Sequence, residues 1–262
     1  MSDEHLTHGW EPDLGGADTI LRAFVLSTAE VTAWIAEQVG GRAQRWDDVA
    51  AVDTQSPVLF DNYALLLTPP PYTDLEDVIG RLIAFYPPER HWGLLSVWPT
   101  PDLTGHGLAL MGHPPFMTRA PGGAAPPQPP GLRIVEATDA TTLADALMLL
   151  GAAFGMQFEG TPLGDPRVLG GPLRVWVGYA DGRPVATATA RIGHGIVDVE
   201  AVATAPDCRG RGFGEALTWA ATLADPALPA VLYSSDAGYP TYQRMGYLSQ
   251  FRFTLWHRPP LN

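Results

Sequence analysis

Residues 209–214 run Arg209-Gly210-Arg211-Gly212-Phe213-Gly214, three glycines alternating with two arginines and a phenylalanine. Glycines at this spacing let a backbone turn tightly and leave its N–H groups uncovered. A helix starting near Gly212 turns the positive end of its dipole to the same place. Amides and dipole together make an anion site suited to phosphates, and Arg209 and Arg211 bring side-chain charge to it. Just upstream, Asp198 and Glu200 stand two residues apart. On a strand they project from one face, with Val197, Val199 and Ala201 on the other. Carboxylates so placed are suited to general-base work; they are equally suited to holding a substrate cation or to standing in solvent.

Several phosphate-loop chemistries compete for the glycine run. A Walker loop needs Gly-Lys-Ser/Thr, and this chain has no lysine, its 16 basic residues all being arginine. A dinucleotide loop follows the first strand of a parallel βαβ unit, whereas an antiparallel meander precedes this one. Arg-Gly segments that bind RNA are repeated and disordered, and this one is single and embedded. A glycine turn without a ligand stays open.

The elements that must position these residues can be read from periodicity and turn signals. Residues 132–137 form a strand, and Leu143, Leu147, Leu150 and Phe154 follow at helical spacing. Strands over 174–179 and 184–192 join at Asp181-Gly182, a hairpin dipeptide, and a third strand, 196–204, follows Gly193-His194-Gly195. The loop comes next, then a helix carrying Phe213, Leu217 and Ala220, a strand over 231–235, a short helix over 240–245 and a closing strand over 247–256. The first half repeats nearly the same order: a helix over 17–39, strands over 46–52 and 59–67, and a helix with Leu75, Val78, Ile79 and Leu82 on one face. A strand over 91–98, a helix over 102–111 and a last strand over 116–119 complete it. Between the halves lies residues 120–131, APGGAAPPQPPG, a proline-rich semi-rigid linker. The expected organisation is thus a first domain over 1–119, a linker over 120–131 and a second domain over 132–262.

Loop, spacing and surrounding elements over residues 132–257 resemble the GNAT superfamily of acyl-CoA-dependent N-acetyltransferases. Arg209 to Gly214 is similar to its Arg/Gln-x-x-Gly-x-Gly/Ala signature, and Tyr242-Gln243-Arg244-Met245-Gly246-Tyr247 to its Tyr-x-x-x-Gly-Phe close, with Tyr247 in place of Phe. The resemblance implies an α/β (α+β) fold of two tandem GNAT-like domains, each a mixed, mostly antiparallel central sheet flanked by helices. It implies acetyl-CoA as co-substrate, its pyrophosphate on Arg209, Gly210, Arg211, Gly212, Phe213 and Gly214. Its pantetheine arm would lie along Val202, Ala203 and Thr204. The first half resembles a degenerate copy: its counterpart of the loop is residues 68–74, TPPPYTD, whose prolines delete amide donors. One acetyl-CoA site per chain is expected.

Acetyl transfer to an alkyl amine, with a reference pKa of about 10.4, must overcome roughly 4.6 kcal/mol of deprotonation at pH 7. A positioned carboxylate offsets part of this, and the family's bases fall at positions matching both Asp198 and Glu200, with Glu200 the nearer to the thioester. Tyr242 matches the tyrosine that protonates the CoA sulfur; its other reading is a helix tyrosine packed between layers. A backbone N–H near Val202 or Ala203 is the implied oxyanion donor. The acceptor wall corresponds to residues 154–165, where Phe154, Met156 and Phe158 line an apolar pocket or merely seal the core, and Glu159 meets a cation. The first domain would supply the remaining wall and serve specificity. Cys208, with no neighbouring histidine to activate it, reads as a packing residue. His5 and His8 lack a third ligand, so no metal is expected, and His194 sits on a turn in solvent.

Lys plus Arg total 16 against 28 Asp plus Glu, a formal charge of −12. Such acidity argues against nucleic acid and anionic membrane surfaces as partners, and suits a small-molecule amine acceptor, cationic ones included. A single cysteine, no signal-peptide pattern and no apolar run of spanning length point to a cytoplasmic protein, monomer or homodimer. Within the same fold, transfer of another acyl group, acyl-CoA decarboxylation or hydrolysis, and non-catalytic acyl-CoA binding are the alternative functions.

Overall fold

The computed structural model describes residues 19–70, 73–158 and 160–259. His5, His8 and Glu159 lie outside the described residues, as do Pro71 and Tyr72. Helix α1 (Ile20–Val39) leads into strands β1 (Arg42–Arg45), β2 (Val49–Asp53) and β3 (Tyr63–Leu66), then helix α2 (Leu75–Phe85) and strands β4 (Trp92–Ser96), β5 (Ala109–Gly112) and β6 (Pro115–Arg119). The second half holds β7 (Arg133–Glu136), α3 (Ala140–Phe154), β8 (Leu173–Ala180), β9 (Arg183–Gly193) and β10 (Ile196–Thr204). It closes with α4 (Phe213–Thr222), β11 (Ala230–Tyr233), α5 (Tyr239–Arg244), β12 (Leu248–Arg252) and β13 (Thr254–Arg258).

Two mixed sheets result, one of six strands in the order β1-β2-β3-β4-β13-β5 and one of seven in the order β12-β6-β11-β10-β9-β8-β7. Their cores are built alike. An antiparallel meander ends in a strand, a helix crosses over, and the next strand returns parallel: β3 beside β4 in one sheet, β10 beside β11 in the other. In each sheet, however, the strand following the parallel pair comes from the opposite half of the chain. β6 fills the place between β11 and β12, and β13 fills the place between β4 and β5. The two crossings meet: Phe253 N–H donates to the Pro114 carbonyl at 3.0 Å, and His113 Nδ1 donates to the Phe253 carbonyl at 3.2 Å. Phe253 is fully buried and its ring stacks on Phe116 at 4.7 Å, with Phe24 of α1 5.2 Å from both. Burial of each such ring is worth roughly 1.5–3 kcal/mol, so the crossing is a core in its own right.

Four segments differ from the pattern reading. The strand expected over 46–52 is two, β1 and β2, with residues 46–48 forming the turn between them. The helix expected over 102–111 is one 3-10 turn, Thr104–His106, followed by strand β5. Asp102 Oδ1 accepts the Thr104 N–H and Gly107 turns left-handed at φ 78°, which stops the turn after one cycle. The single closing strand over 247–256 is two strands, split at Phe253 where the chain changes sheets. Strand 59–67 starts as a 3-10 turn, Leu59–Asp61. Helix α1 packs on β9 and β10 as well as on its own sheet, with no room for a Cβ at Gly193, which would lie 2.8 Å from Ser27 Oγ.

Candidate active site

Strand β10 ends at Thr204, a 3-10 turn over Pro206–Cys208 follows, and Gly210 and Gly212 then turn at φ 76° and 78° into α4. These left-handed positions strain any residue with a Cβ. Gly212 is the N-cap of α4 and supplies no side chain to it, so the first amides of the helix keep their donors. Gly214 lets α4 approach β10, since a Cβ there would sit 2.6 Å from Thr204 Oγ1. Both arginines are exposed: Arg211 lies over the Phe213 ring at 4.6 Å, while Arg209 reaches the Ala153 carbonyl at only 3.5 Å. Cys208 is buried in the hydrophobic cluster of the second half, its sulfur accepting from Arg183 at 3.1 Å.

Beside the loop, β10 leaves its neighbour. It pairs with β11 only at Val197 with Ala230 and Asp198 with Val231, and its register against β9 slips between Glu200 and Ala203. Ala201 takes φ 49° at this bulge. A bulge re-aims the side chains around it, and Ala201 therefore lines the same cavity as Glu200 instead of alternating with Val197 and Val199. Past the bulge, Val202, Ala203 and Thr204 pair with no described strand on the β11 side.

Asp198 and Glu200 do share a face, and a buried arginine binds both. Arg191 Nη2 lies 3.2 Å from Asp198 Oδ2 and 2.5 Å from Glu200 Oε2, and Nη1 donates to the Tyr63 hydroxyl at 2.9 Å. Asp198 is sealed, 1% exposed, and among the described residues neither of its oxygens accepts a hydrogen bond. Burial pushes its pKa up to about 7, partly opposed by Arg191 and reinforced by Glu200. Burial also raises Tyr63, to about 12. Glu200 is different: its side chain is 27% exposed, it lines the cavity, and Oε1 has no hydrogen bond among the described residues. Arg191 was legible in principle, because the two-residue turn at His194-Gly195 sets it opposite Asp198. Tyr63, from the other half, had no local signal. His194 is not in solvent; its Nε2 meets Glu30 Oε2 of α1 at 2.7 Å.

The cavity measures about 970 Å³ and opens between the two sheets. Phe154, Met156 and Phe158 all line it, joined from the first half by Val58, Phe60, Asp61, Tyr63 and Met111. Tyr242 does not line it. The ring packs on Gly238, where a Cβ would lie 2.8 Å away, and edge-on to Tyr247. Burial raises the Tyr242 pKa to about 12, and among the described residues its hydroxyl has no hydrogen bond. The described His, Cys, Asp and Glu side chains gather in no set of three fit for a metal ion, and no described helix is long and apolar enough to cross a membrane.

Residues 171–248 match the family model described as an acetyltransferase (GNAT) domain. No curated protein sequence matches the chain. Among solved structures, a GCN5-related N-acetyltransferase from Kribbella flavida is similar at TM-score 0.68 and 21% identity, over 90% of this chain and 95% of that one. A GNAT-family protein from Novosphingobium aromaticivorans is similar at 0.58 and 19%, over 88% and 97%. Another GCN5-related N-acetyltransferase, from Sphaerobacter thermophilus, is similar at 0.53 and 16%, over 90% and 93%. At these identities the likeness is one of fold, and it extends over both sheets.

Proposed function

The chain carries a GNAT acetyltransferase domain, and on that premise we propose that it moves an acetyl group from acetyl-CoA to the primary amine of a small molecule by direct transfer. One observation carries this: an uncapped, glycine-lined helix start stands at the free edge of β10, and the same edge opens at Glu200 and Ala201 onto a cavity. The residues fit the donor. Amides from Gly210 to Gly214, with Arg209 and Arg211, would hold its pyrophosphate, and the free edge at Val202, Ala203 and Thr204 its extended arm. Acetyl-CoA supplies the acetyl group as a thioester.

Glu200 accepts the amine proton at Oε1 while Arg191 fixes its other oxygen. An N–H beside the bulge, at Val202 or Ala203, faces the charge that grows on the acetyl oxygen. As the C–N bond forms and the C–S bond breaks, the sulfur leaves with the bonding pair. Tyr242 steadies it by hydrogen bonding, because a phenol held near pKa 12 is fully protonated at pH 7. Asp198 keeps Arg191 in place and touches no substrate. The first half supplies a wall and no second donor site.

The test is thiol release from acetyl-CoA. It is expected only with an amine present, and Glu200→Gln should lower it about 10²–10⁴-fold with CoA affinity unchanged by titration calorimetry. Release without any amine would replace transfer by hydrolysis, and tight CoA binding without release would leave a binding module.

A further inference from the structure

Nine large hydrophobic side chains are conspicuously exposed among the described residues, and four of them, Phe60, Met111, Phe154 and Met156, line the cavity between the sheets. They come from three separated segments: the 3-10 turn before β3, strand β5, and the end of α3 with the loop after it. Scattered exposed hydrophobics are ordinary, but their convergence on one mouth marks a site for apolar surface. A cavity of about 970 Å³ is at the upper end of the roughly 300–1,000 Å³ usual for small-molecule sites. A free amino acid would leave most of it to water.

Charged side chains are few on this wall. The carboxylates lining the cavity are Glu200, Asp61 and, at the rim, exposed Asp236; the guanidiniums are Arg191 and Arg252. Arg191 is already engaged by Asp198 and Glu200, and Arg252 Nη1 donates to the His113 carbonyl at 2.7 Å. Asp61 comes from the first half and accepts from Ser56 Oγ at 2.7 Å. Burial, with Glu200 nearby, raises its pKa to about 6, which leaves it mostly ionised at pH 7. Two carboxylates from the two halves therefore face one space; Asp236, Arg252 and His113 stand elsewhere on the wall, and the rest of it, Arg191 aside, is apolar or carries hydroxyls. One cation is accommodated between the two carboxylates, while a second one held against Phe60, Met111, Phe154 and Met156 would be stranded among apolar side chains.

We propose that the acceptor is an amine with one basic nitrogen on a large apolar body, the nitrogen between Glu200 and Asp61 and the body against Phe60, Met111, Phe154 and Met156. This rests on the acetyl-transfer reading and names its substrate class. Polyamines, aminoglycoside-like compounds and small amino acids are then poor acceptors. The first half acts in the reaction as the specificity wall, with Asp61 its charged contact.

The experiment measures thiol release by the full chain with acetyl-CoA across 4-phenylbutylamine, tryptamine and dodecylamine on one side and spermidine, kanamycin and glycine on the other. The apolar monoamines should show kcat/KM at least tenfold above the polar set. An equal or reversed order overturns the substrate class and leaves acetyl transfer standing. No release with any of the six, with CoA still bound, overturns acetyl transfer as well. Phe60→Ser, at a side chain already 46% exposed, should raise KM for the best apolar amine about tenfold without changing CoA affinity. An unchanged KM would remove the first half from the acceptor site.

Discussion

Two strand-to-helix turns occupy equivalent places in the two sheets, and they end in opposite ways. In the first half the turn from β3 reaches α2 through prolines, and Asp74 caps the helix with its own carboxylate, accepting from the N–H groups of Glu76 and Asp77. In the second half the turn from β10 reaches α4 through Gly210 and Gly212, and among the described residues no side chain caps it. One helix start is neutralised internally, the other is left for an anion from outside. A second contrast runs the same way. Asp53 is shared by two arginines, Arg42 at 2.9 Å and Arg90 at 2.8 Å. Around Arg191 the count is inverted, one guanidinium shared by Asp198 and Glu200. At these two clusters the first half sets two guanidiniums on one carboxylate, and the second sets two carboxyl groups on one guanidinium. Two copies of one topology thus diverge by whether local charges are satisfied from within.

The contrast at the helix starts can be broken by giving α4 a carboxylate of its own. Gly212→Asp places one at the N-cap and strains a φ of 78°, so CoA affinity by calorimetry should fall at least tenfold; an unaltered affinity would mean that the pyrophosphate lies elsewhere. The contrast between the arginine clusters is sharpened by pH. A carboxyl raised from 3.8 to about 7 on folding binds its proton more tightly in the native state, so the stability it allows is present at low pH and lost as pH rises from about 4 through 7. Asp198→Asn removes that loss, and its unfolding free energy should gain on the wild type across this window and stop gaining above it, by on the order of 4 kcal/mol in all, followed through the melting temperature. A constant difference between the two curves would mean that Asp198 is ionised in the fold throughout. The smallest effect belongs to the first half: Asp74→Ala should lower unfolding free energy by about 1 kcal/mol with CoA affinity untouched. Weaker CoA binding in that variant would give the capped turn a share in the donor site.

Much of the site's frame was legible because it is encoded by neighbours in the chain. The alternation of residues 196–204, the left-handed pairs Asp181-Gly182 and His194-Gly195, and the glycines before Phe213 each specify their own backbone. Strand β10 has the bounds the pattern predicts. What escaped is non-local. A five-residue strand such as Pro115–Arg119 or Thr254–Arg258 carries no mark of which sheet will take it. Hydrophobic pairing serves either choice. The bulge at Ala201 has no glycine to announce it, and its effect on which side chains face the cavity follows from the parting of β10 and β11. Asp61 and Tyr63 reach the site only through packing of one sheet on the other.

The exchange of strands also sets an order in time. A chain made from its N-terminus meets β4 and β5 early, yet neither is next to the other in the finished sheet; β13, between them, is made after every other strand. The first sheet therefore waits, with one edge of β4 unfilled and β5 without a partner, until residues 254–258 have left the ribosome. The six-stranded sheet is the last to be completed, and its completion is the step that fixes Asp61 and Phe60 beside Glu200.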